Sequence, residues 1–192
     1  MKRHVASKTL LYPMPAVLIA AGYEGEIGLC AVAWIGMVSG TPATIAMGLR
    51  NVRHTLPLIE ASGEFTVNVP RAGMEASLDF CGIEAGGGAG KWAAAGLTPA
   101  PAASVSAPLV AECPMALECR VTAMHDVGDY RVVFGEVVEI QADEDVLTAD
   151  GNVDVELLDP ITYVPGTREY RALGRKLADA YSVGKPLKER AK

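Results

Sequence analysis

The spacing of apolar residues changes several times along the chain, and each change marks an element. Residues 16–21 form an unbroken apolar run, Gly22-Tyr23-Glu24-Gly25-Glu26 makes a turn, and a second apolar run covers residues 27–38. Two such runs around a Gly-rich turn predict a hairpin whose strands are covered on both faces. Residues 44–49 read as a third strand, set off by Gly40-Thr41-Pro42. Over residues 51–62 the period becomes helical, with Val52, Leu56 and Ile59 at i, i+4 and i+7 and Gly63 as a stop. Pro57 limits the regularity of that helix's start. Phe65, Val67 and Val69 then alternate with Thr66 and Asn68 up to Pro70, the pattern of a half-buried strand.

Between residues 72 and 108 the periodicity fades. Residues 74–81 suit a helix, 82–90 a Gly-rich loop, 91–95 one helical turn and 98–106 a Pro/Ala/Ser connector. So long a stretch between strands is expected to be functional or mobile, and is the place to look for a ligand-covering insertion. Alternation returns with Met115, Leu117, Cys119, Val121 and Ala123 on one face and Glu118, Arg120 and Thr122 on the other. Asp126-Val127-Gly128-Asp129 turns the chain into residues 130–140, giving a long hairpin with a bulge at Gly135. Residues 170–181 have helical composition, and 182–192 read as a loosely held basic tail. The expectation is a mainly β fold of six or seven strands closed as a barrel, with a few short peripheral helices. It comprises one domain, residues 1–181, followed by the tail.

Composition supports a single core: 192 residues, half of them hydrophobic, with 20 Gly and 12 Pro, too many interruptions for a helical bundle. The net charge of −6 argues against duplex nucleic acid or an anionic membrane as the main partner. Residues 168–192 hold eight Lys or Arg against three acids, so an acidic body carries a basic end. Cys30, Cys81, Cys113 and Cys119 follow no disulfide framework, which predicts a reduced, cytoplasmic protein. Lys2, Arg3 and His4 precede an apolar stretch that Pro13 and Pro15 interrupt, so neither export nor a membrane span is expected.

Most catalytic motifs fail. Gly86-Gly87-Gly88-Ala89-Gly90-Lys91 has neither Walker nor dinucleotide spacing, leaving a flexible loop or a loop that brings Lys91 to a phosphate. His4, His54 and His125 are scattered, and Cys113 and Cys119 would stand about 20 Å apart on a strand, so no metal site is predicted. Cys119 reads as core and Cys81 as a packed thiol, with redox chemistry at Cys81 as the alternative. No Gly-x-Ser-x-Gly elbow is present, and the carboxylates at Glu136, Glu139, Asp143 and Asp145 read as solvated strand ends. No catalytic acid, base or nucleophile is assigned. One cluster stands out: Arg50, Arg53, His54 and Thr55 follow a buried strand and open a helix. Guanidinium groups, a hydroxyl and helix-start N–H groups suit a phosphate monoester, but a solvated helix start paired with Glu60 or Glu64 would look the same.

A resemblance separates these readings. Tyr12-Pro13-Met14-Pro15-Ala16-Val17-Leu18-Ile19, Val32-Ala33-Trp34-Ile35-Gly36-Met37-Val38-Ser39, Arg50 with Arg53-His54-Thr55, and Gly63-Glu64-Phe65-Thr66-Val67-Asn68-Val69-Pro70 follow one another in an order that resembles the flavoredoxin-like branch of the flavin reductase family. Asp79-Phe80-Cys81-Gly82, Gly96-Leu97-Thr98-Pro99, residues 106–114, Gly135-Glu136-Val137-Val138 and Leu158-Asp159-Pro160 continue it, from about Tyr12 to Gly174.

The resemblance implies a Greek-key split β-barrel that binds FMN non-covalently, as a homodimer with the flavin near the subunit interface. It implies that Val32, Ala33, Trp34 and Ile35 run beside the flavin, and that Val38, Ser39, Gly48, Leu49 and Arg50 help to hold it. His54 belongs to the cationic cluster, and Thr55 and Lys91 match phosphate contacts. The implied function is an oxidoreductase that moves electrons between NADH or NADPH, or a redox protein partner, and the flavin; a non-enzymatic module for another phosphate-bearing ligand is the alternative. Three departures from the pattern stand out. Gly28 and Ala31 stand where the family often has Asn and Thr, Ala43 replaces a Pro, and Gly87-Gly88-Ala89-Gly90 lacks the usual Arg and Asp, so weaker FMN binding is expected.

Overall fold

The first fifty residues fold into five strands: β1 (Met14–Pro15), β2 (Val17–Tyr23), β3 (Glu26–Val32), β4 (Ile35–Gly40) and β5 (Ala43–Arg50). Then come α1 (Thr55–Ser62), β6 (Glu64–Val69), α2 (Glu75–Ile83), α3 (Ala89–Ala94) and the two-residue strands β7 (Pro99–Ala100) and β8 (Leu109–Val110). The long hairpin is β9 (Met115–Val127) and β10 (Tyr130–Ala142), followed by α4 (Val155–Leu158), β11 (Ile161–Val164), β12 (Glu169–Ala172) and α5 (Lys185–Arg190). These assignments come from a computed structural model that describes residues 1–190, so the last two residues of the basic tail lie outside the described residues.

Seven strands form one antiparallel sheet in the order β3-β2-β6-β9-β10-β5-β4. β3 and β4 are its two edges, yet only Ala33 and Trp34 separate them in sequence. Laid flat, seven strands would set those edges about 29 Å apart, at about 4.8 Å per strand. The three peptide steps from Val32 to Ile35 reach about 11 Å at most. The sheet must therefore curl until its edges approach, and it is split at the Ala33–Trp34 seam. The 27–38 apolar run, expected as one strand, breaks there because the chain has to cross from one edge to the other.

Closure gives the sheet an inside and an outside, which explains the unbroken run in β2. Val17, Ile19 and Ala21 point into a core shared with Cys30, Met47, Leu49, Phe65, Val67 and Val133, plugged by Leu56, Leu58 and Ile59 of α1. Ala16, Leu18 and Ala20 point outward beneath Leu78 and Cys81 of α2 and Trp92 of α3. Both faces of β2 are thus buried. α1 ends where Gly63 takes a left-handed conformation (φ 69°) and returns its N–H to Ile59 O. Pro57 sits in the first turn, where its missing N–H leaves no helical bond unmade. The β9–β10 pairing shifts register at Phe134/Gly135, the bulge expected at Gly135.

Two expectations fail. Residues 170–181 contain no helix: Glu169–Ala172 pairs with Ile161–Val164 instead, because Tyr170 gains cover from Tyr163 and a hydroxyl bond to Asp79. Glu118 does not face solvent either. It is fully buried and receives the backbone N–H groups of Ala103, Ser104 and Val105, so it anchors the 98–106 connector over the barrel.

Candidate functional site

The seam opens into a cavity of about 420 Å³. Ala16, Ala31, Val32, Ala33 and Trp34 form one wall, Gly48, Leu49, Arg50 and Tyr130 a second, and Leu78, Gly82 and Ile83 of α2 a third. β5 pairs with β10 so that Tyr130 lies opposite Arg50. That register brings the Tyr130 ring onto Trp34, with centroids 4.7 Å apart and planes 22° from parallel. Gly48 lies beneath the pair, and a Cβ there would sit 3.7 to 3.9 Å from both rings. The result is an apolar, aromatic slot with a flat face.

A second cavity of about 180 Å³ continues from the first; Arg50, Arg53, Gly82 and Ile83 line both. Its other walls include Cys30, His54, Thr55, Gly86 and Lys91. Lys91 is only 7% exposed, and its ammonium donates to carbonyls alone: Glu84 O at 2.9 Å, Cys81 O at 3.4 Å and Gly86 O at 3.5 Å. Burial holds its pKa below the ordinary lysine value. A cation buried without a facing carboxylate costs several kcal/mol that a bound anion would offset. Arg53 donates to Gly82 O at 2.7 Å. His54 is held through Nε2 by Glu26 at 2.7 Å, while its buried Nδ1 has no partner. Thr55 is 1% exposed and lies against Gly28 of β3, lining the hollow with Cys30. A lysine and an arginine that meet only carbonyls around a small hollow match the chemistry of a phosphate group, and the adjoining slot matches a flat ring system.

The competing reading of the cluster, neutralisation by Glu60 or Glu64, does not hold. Glu60 pairs with Arg131, and Glu64 binds Ser106 and Arg120. Arg50 instead faces Asp129 at 3.6 Å. Gly28 has its own reason. A Cβ there would lie 2.9 Å from Leu58 Cδ1 and 3.1 Å from Thr55 Cα, so the missing side chain lets α1 press onto β3.

Of the candidate residues, Val32, Ala33, Trp34, Gly48, Leu49 and Arg50 line the larger cavity, and Arg50, His54, Thr55 and Lys91 the smaller. Ile35 lies on β4 and lines a separate hollow with Leu10 and Pro13. Val38 and Ser39 also belong to β4 and reach neither cavity; Val38 is exposed on the sheet edge. Sequence reasoning missed Tyr130, Asp79, Tyr163, Arg168 and Tyr170. The signal for Tyr130 was its place just after the hairpin turn, which becomes informative once β10 is known to pair with β5. All four cysteines are free and buried, and burial pushes the Cys81 thiol up to about 11, so it is a packed thiol. Among the described residues no group of His, Cys, Asp or Glu could hold a metal ion, and no helix is long and apolar enough to cross a membrane.

The chain was compared with known proteins. Flavoredoxin of Desulfovibrio vulgaris (Miyazaki F) is 35% identical, with a TM-score of 0.88 over 96% of this chain and 100% of that one. Flavoredoxin from Methanosarcina acetivorans is 26% identical, with a TM-score of 0.87 over 97% and 100%. The reductase component of 4-hydroxyphenylacetate 3-monooxygenase from Thermus thermophilus is 29% identical over 64% of this chain and 72% of its own length. The chain thus shares its overall fold with these flavoredoxins. The family model for the flavin reductase like domain matches residues 9–174, and the chain belongs to that FMN-binding family.

Proposed function

We propose that the protein binds FMN non-covalently and acts as an oxidoreductase of the flavin reductase or flavoredoxin type, moving electrons between NADH or NADPH, or a redox protein, and the flavin. The observation that carries this reading is the continuity of the two cavities, an aromatic slot joined to a cation-lined hollow through Arg50 and Arg53. Bound FMN would supply the redox chemistry, taking up and releasing electrons. The protein's part is position and charge. Lys91, Arg53 and Thr55 would hold the phosphate, with His54, held by Glu26, packed against the Gly87 backbone at that end. Trp34, backed by Tyr130, and the apolar wall of Val32, Ala33 and Leu49 would flank the ring and keep water from one side of it. No side chain is required as an acid, a base or a nucleophile.

We assign the exposed edge strand β4, with Met37 and Val38 at 56% and 58% exposure, together with the adjoining Trp34 at 41%, as the face that a second copy covers. Val38 and Ser39 would then take part in flavin binding only within a homodimer. Four free, buried thiols suit a reducing compartment, so we place the protein in the cytoplasm. The relatives named flavoredoxin and reductase component support the electron-transfer class. Oxidation of NADH and of NADPH by FMN-loaded protein, followed at 340 nm with free FMN as acceptor, tests the reductase form. Turnover well above free flavin supports it. No turnover with either nucleotide, from protein that retains FMN, rejects it in favour of the electron carrier.

A further inference from the structure

The hairpin β11–β12 forms the outer rim of the larger cavity, through Tyr163, Arg168 and Tyr170. It is fixed at two points. Tyr170 donates its hydroxyl to Asp79 Oδ1 of α2 at 3.0 Å, and the bare Gly166 in the turn packs on the hydroxyl end of Tyr12. Arg168 therefore stands on a braced turn, in a left-handed conformation (φ 58°). Glu169 is already paired with Arg171, and Asp79 accepts the neutral Tyr170 hydroxyl rather than a cation. Arg168 has no carboxylate partner among the described residues.

Lys91 and Arg53 thus stand at one end of the groove, and Arg168 at the other. A mononucleotide flavin has one phosphate, and the first end is the one built for it. We propose that Arg168 forms a second anion subsite, which docks a phosphate of a dinucleotide co-substrate approaching the open side of the ring slot. This inference rests on the FMN reading above. A guanidinium on a solvated rim would contribute orientation and charge attraction, and that attraction weakens with salt.

The test uses FMN-loaded protein titrated with ADP-ribose and with 2′-phospho-ADP-ribose, which carry the dinucleotide phosphates but no nicotinamide, so that no turnover occurs. R168A should weaken binding about fivefold and R168E about thirtyfold, in the range for a charge-assisted contact, with R168K close to wild type. Far-UV circular dichroism and thermal midpoints matching wild type verify the folding of all three. Equal weakening for both probes assigns the pyrophosphate; weakening for the 2′-phosphate form alone assigns that group. Wild-type affinity in R168E overturns the subsite. So does wild-type holoprotein that binds neither probe, an outcome that leaves the flavin reading intact. Wild-type protein that binds no FMN overturns both.

Discussion

The imidazole of His54 occupies the space where a side chain on Gly87 would be. The Gly-rich loop can therefore close over the ring only because residue 87 has no Cβ, and Gly88 N–H then reaches Ile27 O at 2.8 Å to hold the loop on β3. The loop is thus a fitted cover over the smaller cavity, although its glycines alone suited a flexible loop equally well.

Gly87→Ala should displace either the loop or His54, and should weaken FMN binding about tenfold or more, the consequence of overpacking a close contact. Adding His54→Ala to it should restore part of the loss by vacating the space. A double mutant no better than the sum of the two single mutants would show that the two residues do not compete for that volume.

Gly28→Asn would install the residue common at that position in the family, yet it should destabilise this chain by about 1 to 3 kcal/mol, because Leu58 and Thr55 already fill the space. The urea midpoint should fall while Gly36→Ala, in open space, leaves it nearly unchanged. An unchanged midpoint for Gly28→Asn would mean that α1 yields without cost.

Lys91 gives FMN binding a pH dependence. Its pKa is lowered by burial, so the ammonium is charged below that lowered value and neutral above it. Affinity for the FMN phosphate should hold at neutral pH and decline as the pH rises through the alkaline range. Lys91→Met should bind FMN less tightly by about 1 to 3 kcal/mol and lose that decline. Titrations of both proteins between pH 7 and pH 10, as a planned range of about three units, compare the slopes directly.

Glu118 gives stability an acid limb. Burial alone would raise its pKa, but the N–H groups of Ala103, Ser104 and Val105 and the Gln141 amide together hold it below the ordinary glutamate value. A carboxylate with a depressed folded pKa stabilises fully above its unfolded value of about 4.3, and that stabilisation is lost as the pH falls through the folded value. Glu118→Gln should cost about 2 to 3 kcal/mol at neutral pH and flatten the loss of stability in acid. Denaturant midpoints at pH 7 and at acidic pH measure both effects, and an acid limb as steep as wild type would assign it to other carboxylates.

The sequence made some of this legible because the signals were local. The double-sided burial of β2, the stop at Gly63 and the bulge at Gly135 each follow from a few adjacent residues. Arg50, His54 and Thr55, which line the smaller cavity, were readable as one cluster because they are neighbours in the chain. The rest depends on closure. Nothing near Trp34 shows that the 27–38 run must break there, since the break follows from bringing two sheet edges together. Tyr130 joins Trp34 only through the β5–β10 register, and Arg168 reaches the cavity only through a hairpin whose second strand has helical composition. Glu118 looked like a surface residue because its partners, the N–H groups of the connector, have no sequence signature.

The central claim, that the joined cavities are an FMN site, is tested most directly by titrating flavin-free protein with FMN and following the quenching of flavin fluorescence. Saturable binding of one FMN per chain, weakened by about 1 to 3 kcal/mol in Thr55→Ala and again in Lys91→Ala, is the predicted result. A colourless protein that neither quenches FMN nor saturates, or one whose affinity is the same in both variants, would contradict it.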